Sequence, residues 1–508
     1  MNPQACKLIS SKTELELKDF DALVIPIQIT QAKDKSWAQQ LKHLPAALSE
    51  AIVAFAKKAE IVPQEGTSFI FDYSITLRVG LVYSFQTTDM FHLLTFAKEI
   101  LGKYKSAGVQ NVALDLRQHP RAEDLLEAFV AALVARNFEP PKISGKKNEV
   151  ETGKKDKFWN MAIVAPAAKE DECAERLQRA EPLAQATNLV RSLVMRPGND
   201  LTPAAYVQMV KELAEKTALK FEFWDQKKLK TLNAGAFLAV VQGSPHEDAG
   251  IIKLVYRPEN SHAKKLVVVG KGITYDTGGT NLKPARSMYG MHGDMAGSAV
   301  ALSLTLLAAE NRWPFQVVCY LAIADNCIGE NAYRPNDIVM SAKAKSIEVV
   351  HTDAEGRMVL ADTLFFASKE KADLMMDFAT LTGACVGAIG STYAGAFTNR
   401  PEWFEKIVKT GQVTGERVWP FPLDEDFGDC LKSDVADIKQ CRLSGGVDHI
   451  EAAYFLKEFV DQDIPWLHID LAAAQNAGGL AHIDTEATGF GVRFAANFAQ
   501  SILEDGMD

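Results

Sequence analysis

Short apolar runs of strand length alternate with segments whose apolar residues recur every three to four positions, and this order restricts nearly the whole chain to α/β layer structures. In the first third the strand candidates are residues 22–27, 78–83, 111–116 and 160–164, with helical patterns at 49–58, 90–103 and 122–135 between them. Further on, strands at 251–256, 265–269, 315–322, 346–350 and 374–378 alternate with helices at 296–309, 358–369 and 450–461. Such alternation implies a central, mostly parallel sheet covered by helices on both faces. A chain of 508 residues also exceeds what one hydrophobic core usually supports, so two domains are expected. Within the first block, ahead of its last strand, lies a lysine-rich, glycine-punctuated segment, 142–157, which reads as a mobile surface loop. A long helical pattern at 169–194 follows; Pro182 is placed to kink it, and it breaks at 195–200. Thr202 and Pro203 then form a cap and first-turn pair that opens the next helix. The expected organisation is a first α/β domain over 1–170, a connecting helix over 171–195 and a larger second domain over 196–508.

Composition narrows the partners. The formal net charge of −10 opposes a general attraction to phosphate backbones, so nucleic acid is not an expected partner. No apolar run reaches the roughly 20 residues of a membrane-spanning helix, and the N-terminus lacks the pattern of a signal peptide, which together point to a soluble protein that is not exported. Seven scattered cysteines, none in a C-x-x-C spacing, fit a reducing compartment and disfavour a cysteine zinc site.

The chemistry concentrates where apolar strands give way to polar residues, which in such sheets is where ligands collect. The strand at 265–269 runs into Gly270-Lys271-Gly272-Ile273-Thr274-Tyr275-Asp276-Thr277-Gly278-Gly279, with Lys283 in the same loop. A phosphate-binding role for Lys271 is disfavoured because the G-x-x-x-x-G-K-[ST] spacing is absent. Asp294, in Met291-His292-Gly293-Asp294, stands at the mouth of a helix rich in small residues; alone it reads as a helix cap. The strand at 346–350 leads into His351-Thr352-Asp353-Ala354-Glu355-Gly356-Arg357. In extended chain Asp353, Glu355 and Arg357 share a face. On a helix, Asp353 and Glu355 would diverge by about 200°. Four carboxylates, Asp276, Asp294, Asp353 and Glu355, repel one another if gathered without cations. Two divalent metals about 3.5–4 Å apart would balance them and activate a bridging water. Lys271 could join such a site as a ligand only when neutral, which requires its pKa to fall far below about 10.4.

At these residues the chain closely resembles the leucyl aminopeptidase family, peptidase family M17, whose signature is N-T-D-A-E-G-R and here reads His351 to Arg357. The likeness runs from about Asn188 to the end and includes Gly270-Lys271-Gly272, Gly278-Gly279, Leu282-Lys283-Pro284, Gly293-Asp294-Met295 and Ala379-Thr380-Leu381-Thr382-Gly383-Ala384. The resemblance implies a macro-like N-terminal domain and a C-terminal aminopeptidase domain holding two divalent metal ions, zinc or manganese, with magnesium or cobalt as alternatives. Lys271, Asp276, Asp294 and Glu355 would hold the tighter ion and Asp276, Asp353 and Glu355 the more exchangeable one. Lys283 would stabilise the oxyanion, and Arg357 would hold a bicarbonate ion acting as proton shuttle. Met291 and Thr380 would line the pocket for the first side chain, with the Leu381 and Gly383 backbones beside substrate and bicarbonate. Peptide substrates with leucine-like N-terminal residues, a cytoplasmic location and a homohexamer made as a dimer of trimers also follow from the likeness. The chain departs from the family at His292, where lysine is usual, at His351, where asparagine is usual, and at Asp470-Leu471-Ala472-Ala473, where the family usually has D-I-A-G. The competing readings are a DNA-binding or scaffold protein on an inherited framework and, more remotely, a phosphate-handling enzyme.

Overall fold

The computed structural model describes residues 5–504 other than 11–15, 30–35, 65–67, 75–76, 86–87, 105–108, 144–158, 218 and 261–262. The segment expected to be a surface loop, 142–157, lies outside the described residues except at its first two positions. The chain divides into two compact units, Met1–Gln185 with Gly479–Asp484, and Ala186–Gly478 with Thr485–Asp508. The helical pattern around Pro182 is one helix, Glu170–Val194, that continues through the proline.

Among its described residues the first unit carries six strands: β1 (Cys6–Ile9), β2 (Ala22–Ile29), β3 (Ser68–Asp72), β4 (Arg78–Phe85), β5 (Asn111–Asp115) and β6 (Asn160–Val164). They pair in the order β1-β6-β5-β2-β4-β3. Only the β3–β4 pair is antiparallel. Strand β2 shows why helices cover both faces. Leu23, Ile25 and Ile27 pack with Leu48 and Ile52 of the helix Ala46–Lys58. Ala22 and Val24 face the other way, toward Leu93 of Met90–Lys103 and Phe129 of Ala122–Arg136.

In the second unit the strands are β7 (Lys220–Asp225), β8 (Gly250–Tyr256), β9 (Lys265–Asp276), β10 (Gln316–Asn326), β11 (Ile338–Met340), β12 (Ser346–Glu348), β13 (Leu374–Ala379), β14 (Ala394–Thr398), β15 (Val418–Pro420), β16 (Ile438–Lys439) and β17 (Trp466–Asp470). Eight of them form one sheet, in the order β15-β14-β17-β13-β9-β10-β8-β7. Its centre, β17-β13-β9-β10, is wholly parallel. The remaining pairs, β14–β17, β8–β10 and β7–β8, are antiparallel, while β15 joins β14 in parallel. This is the expected mixed α/β class with a sheet that is parallel where it matters for the site. One expectation fails: β12, the strand that leads to Asp353, is not in this sheet but in a separate three-stranded one, β11-β12-β16.

Strand β9 also runs seven residues past the expected end at Val269, to Asp276, and pairs with β10 as far as Ile273 and again at Asp276. Glycines at 270 and 272 look like a strand end in sequence, but here they serve close approach. A Cβ on Gly270 would lie 2.5 Å from the Ser298 Cα, and one on Gly297 would lie 2.0 Å from the Phe378 carbonyl oxygen. The helix Ala296–Glu310 is thereby laid directly on β9 and β13, and its small N-terminal residues fix the height of Asp294 above the sheet. Gly297→Ala is expected to cost about 3 kcal/mol or more through overpacking and to lower the thermal unfolding midpoint. Gly387→Ala, where nothing lies within 4 Å of the added carbon, should leave the midpoint unchanged or raised; equal midpoints for the two variants would show that this contact does not set the packing.

Candidate active site

Lys271 and Asp276 are both on β9, and both are buried. They lie five residues apart, with a register irregularity in the partner strand between Ala324 and Asn326. Asp276 is held at the strand end by two donors: its Oδ1 accepts from the Gly278 N–H at 2.8 Å and from Asn326 Nδ2 at 2.8 Å. Gly278 and Gly279 turn the chain with φ of 87° and 63°, which side chains rarely adopt, and bring Lys283 back over the site. There Lys283 Nζ lies 2.9 Å from Asp276 and 2.6 Å from Asp353.

Asp294 follows a single turn, Met291–Gly293, and precedes the helix Ala296–Glu310. Its Oδ1 accepts from Lys271 Nζ at 2.8 Å and from Thr380 Oγ1 at 2.7 Å. Lys271 Nζ also donates to the Thr380 carbonyl at 2.9 Å and lies 2.9 Å from Glu355. The lysine is therefore clamped by three elements, and it passes so close to Gly356 that a Cβ there would sit 2.6 Å from its Cε.

The signature segment is not extended. The chain turns at Thr352 and Asp353, and the helix Glu355–Ser368 begins at Glu355 rather than near Met358. Asp353 and Glu355 still converge, because Asp353 precedes the helix and Glu355 occupies its first position; one ligand oxygen from each lies within 4.8 Å of one from Asp276. Arg357, expected on the same extended face, is instead two residues into the helix and buried. It pairs with Asp448 at 2.7 Å and donates to the Gln440 carbonyl at 3.3 Å. Thr380, Leu381 and Gly383 follow β13; Leu381 N–H donates to Asp470 Oδ1 at 3.0 Å. Lys271, Asp276, Lys283, Met291, Asp294, Asp353, Glu355, Arg357, Thr380, Leu381 and Gly383 all line one cavity of about 780 Å³.

The electrostatics of this cavity are one-sided. Two lysines face the four carboxylates Asp276, Asp294, Asp353 and Glu355. Burial, with Asp276 beside it, pushes Glu355 up to about 8, and burial with the same neighbour raises Asp294 to about 6. Asp353 is raised as well, first by burial and then by Asp276. Glu355 Oε2 is buried with no hydrogen-bond partner. These are the properties of a donor set short of positive charge, and hard cations take such carboxylate oxygens. The residues fit a divalent cation. For Lys271 burial opposes the charge, but Asp294, Glu355 and Asp276 outweigh burial and hold its pKa above the ordinary lysine value. Only bound cations, by replacing that attraction with repulsion, would bring it down.

Several residues at the site had no signal in the sequence. Asn326 binds both Asp276 and the Thr352 carbonyl, and Tyr333 donates to the same carbonyl at 2.9 Å. Gln440 accepts from Val350 N–H and His351 N–H and donates to the Ala354 carbonyl, so it fixes the turn that carries Asp353. His351 sits beside that turn, its Nδ1 accepting from Asp353 N–H at 3.3 Å. An extended search past the expected end of β10 would have reached Asn326; nothing in the spacing points to Gln440, Tyr333 or Asp448.

A model of the catalytic domain of the cytosol aminopeptidase family matches residues 188–496, which is more than half of the chain and includes every residue of this cavity. The chain belongs to the cytosol aminopeptidase family. A probable cytosol aminopeptidase of Aquifex aeolicus is 33% identical over 88% of this chain and 88% of its own length. One from Geobacter is 37% identical over 67% of this chain and 69% of its own. Among solved structures, a variant of tomato leucine aminopeptidase is similar with a TM-score of 0.83 and 26% identity, covering 98% of this chain and 97% of that one. A bottromycin maturation enzyme in complex with Mn gives 0.77 and 27%, covering 95% and 99%. As a member of the cytosol aminopeptidase family the protein is a metallo-aminopeptidase, a hydrolase of N-terminal peptide bonds. Gly356→Ala should displace Lys271 and weaken manganese or zinc binding by about 10–100-fold, read by calorimetric titration of a variant whose circular dichroism is unchanged; unaltered affinity would mean that this packing does not hold the lysine in place.

Proposed function

We propose that this cytosol aminopeptidase family member works with two divalent ions, zinc or manganese, and releases leucine-like N-terminal residues from peptides. The observation that carries the reading is the convergence of Asp276, Asp353 and Glu355 within 4.8 Å of one another, next to Lys271 and Asp294. In this reading Lys271, Asp276, Asp294 and Glu355 hold one ion, and Asp276, Asp353 and Glu355 the other. When bound, such a pair supplies the charge that activates water and polarises the scissile carbonyl.

The chain's own residues do the rest. Lys283, less buried than Lys271, reaches over the open side of the carboxylates and is the cation available to an oxygen that gains negative charge. Burial opposes its charge, yet Asp276 and Asp353 raise its pKa above the ordinary lysine value. Met291 and Thr380 border the space for the first side chain, where Leu471, Ala472 and Ala474 add apolar wall, which favours leucine-like residues. Thr380 is oriented by its bond to Asp294, and the Leu381 backbone by Asp470, so the substrate-facing edge is tied to the metal-facing one. Bicarbonate at Arg357 is not part of this reading, because the guanidinium is already engaged by Asp448 and Gln440. A cytoplasmic location is supported by the names of the relatives and by seven free cysteines. Among the described residues no helix is long and apolar enough to cross a membrane. A homohexamer is proposed from the family likeness alone, and light scattering that gives a monomer would refute it.

Hydrolysis of leucine p-nitroanilide by the metal-loaded protein tests the proposal. Chelation should abolish it, and Asp353→Ala should lower kcat/KM by about a hundredfold or more, beyond the usual effect of removing a group that merely supports a ligand. Leucine should be preferred to aspartate or lysine at the first position. A protein that binds metal yet hydrolyses no amino-acid anilide or dipeptide would overturn the proposal and favour a binding role.

A further inference from the structure

Arg357 is buried to 2% exposure, yet it lines the same cavity as the carboxylate cluster. A guanidinium so placed needs an anion, and the edge formed by Nε and Nη2 is the one that takes a carboxylate or carbonate through two parallel bonds. Asp448 already stands there: its Oδ1 lies 2.7 Å from Nη2, while Nε is buried with no partner. Nη1 is turned away, to the Gln440 carbonyl at 3.3 Å. The Asp448 side chain is 41% exposed and also lines the cavity, so it approaches Arg357 from the solvent side, the side from which a dissolved anion would come. Asp448 is the first residue of the helix Asp448–Lys457, whose other inward residues His449 and Glu451 are buried, so the carboxylate is carried on a fixed element rather than on a free loop. A bicarbonate ion could occupy the Nε and Nη2 edge only by displacing it.

We infer that Asp448 is the chain's own anion at Arg357, occupying from within the fold the position that an exchangeable bicarbonate would otherwise take. The inference rests on the aminopeptidase reading for its kinetic consequence but not for its binding consequence. Asp448 acts through Arg357 and is a positioning residue. Two properties follow: activity does not depend on dissolved bicarbonate, and removal of the Asp448 carboxylate opens an anion site.

The test uses the full-length, metal-loaded protein. In buffer stripped of carbon dioxide, wild-type hydrolysis of leucine p-nitroanilide should be complete, with no rise on adding bicarbonate. Asp448→Ala should lose about tenfold to a hundredfold in kcat and regain most of it with bicarbonate, while Asp448→Asn, which keeps the volume and removes the charge, should lose rate without being rescued. Calorimetric titration with bicarbonate should give binding to Asp448→Ala and none to wild type. A wild-type rate that depends on bicarbonate as strongly as that of Asp448→Ala would overturn the inference, as would wild type binding the ion as tightly as the variant. If the wild-type protein hydrolyses nothing, the aminopeptidase reading fails, and the titration still decides whether Asp448 fills the anion position. Asp448→Asn covers the case in which the alanine variant does not fold.

Discussion

Taking a carboxylate out of water costs several kcal/mol even after the protein relaxes around it, and this chain gathers Asp276, Asp294, Asp353 and Glu355 into one largely buried cluster. Lys271 and Lys283 offset half of that charge. The rest appears as carboxyl groups pushed toward their neutral forms and as a Glu355 oxygen with nothing to bind. Much of the surrounding architecture is a means of holding these acids together against their repulsion. The hydrogen bonds that do so come from groups with no chemistry of their own, such as the Gly278 N–H, the Asn326 amide and the Thr380 hydroxyl.

The scaffold achieves this by close approach of backbone to backbone. Gly270 and Gly297 let the helix Ala296–Glu310 lie against β9 and β13, which places Asp294 beside Lys271. Gly356 lets the helix Glu355–Ser368 pass over the Lys271 side chain, which places Glu355 on the other side of the same ammonium. Asp470, at the end of β17, repeats the device for the substrate-facing edge: it accepts from Leu381 N–H and from the Thr382 hydroxyl and so fixes the segment after β13. In each case a small residue or a buried acceptor on one element sets the position of a polar group on the next.

The layer structure and most element positions could be read from hydrophobic periodicity. Met90–Lys103 and Asn160–Val164 have the expected bounds, and β2, β5 and β13 lie within two residues of theirs. What misled was local chemistry with two meanings. Gly270 and Gly272 signal a strand end in a lone sequence, but they lie inside β9 because a helix approaches there. Asp353 and Glu355 share a face in extended chain; a turn at Thr352–Asp353 followed by a helix start at Glu355 achieves the same convergence by another route. Strands β7, β14 and β17 have no counterpart among the expected strands; β14 and β17 pair with each other, and β17 with β13, across long stretches of chain. The acids and lysines of the cavity were legible because several of them cluster in short motifs. Gln440, Asn326, Tyr333 and Asp448 were not, because each acts by reaching a main-chain or side-chain group far along the chain, and such pairings leave no periodic trace.

The cluster's charge and geometry make one quantitative demand, which is that cations complete it. Anomalous diffraction from crystals of the protein grown with manganese or zinc addresses this directly. Two ions are expected in the cavity, with Asp276 and Glu355 contributing to both, Lys271 and Asp294 to one and Asp353 to the other. A cavity that holds no ion at saturating metal, or ions bound only at residues outside this set, would contradict it.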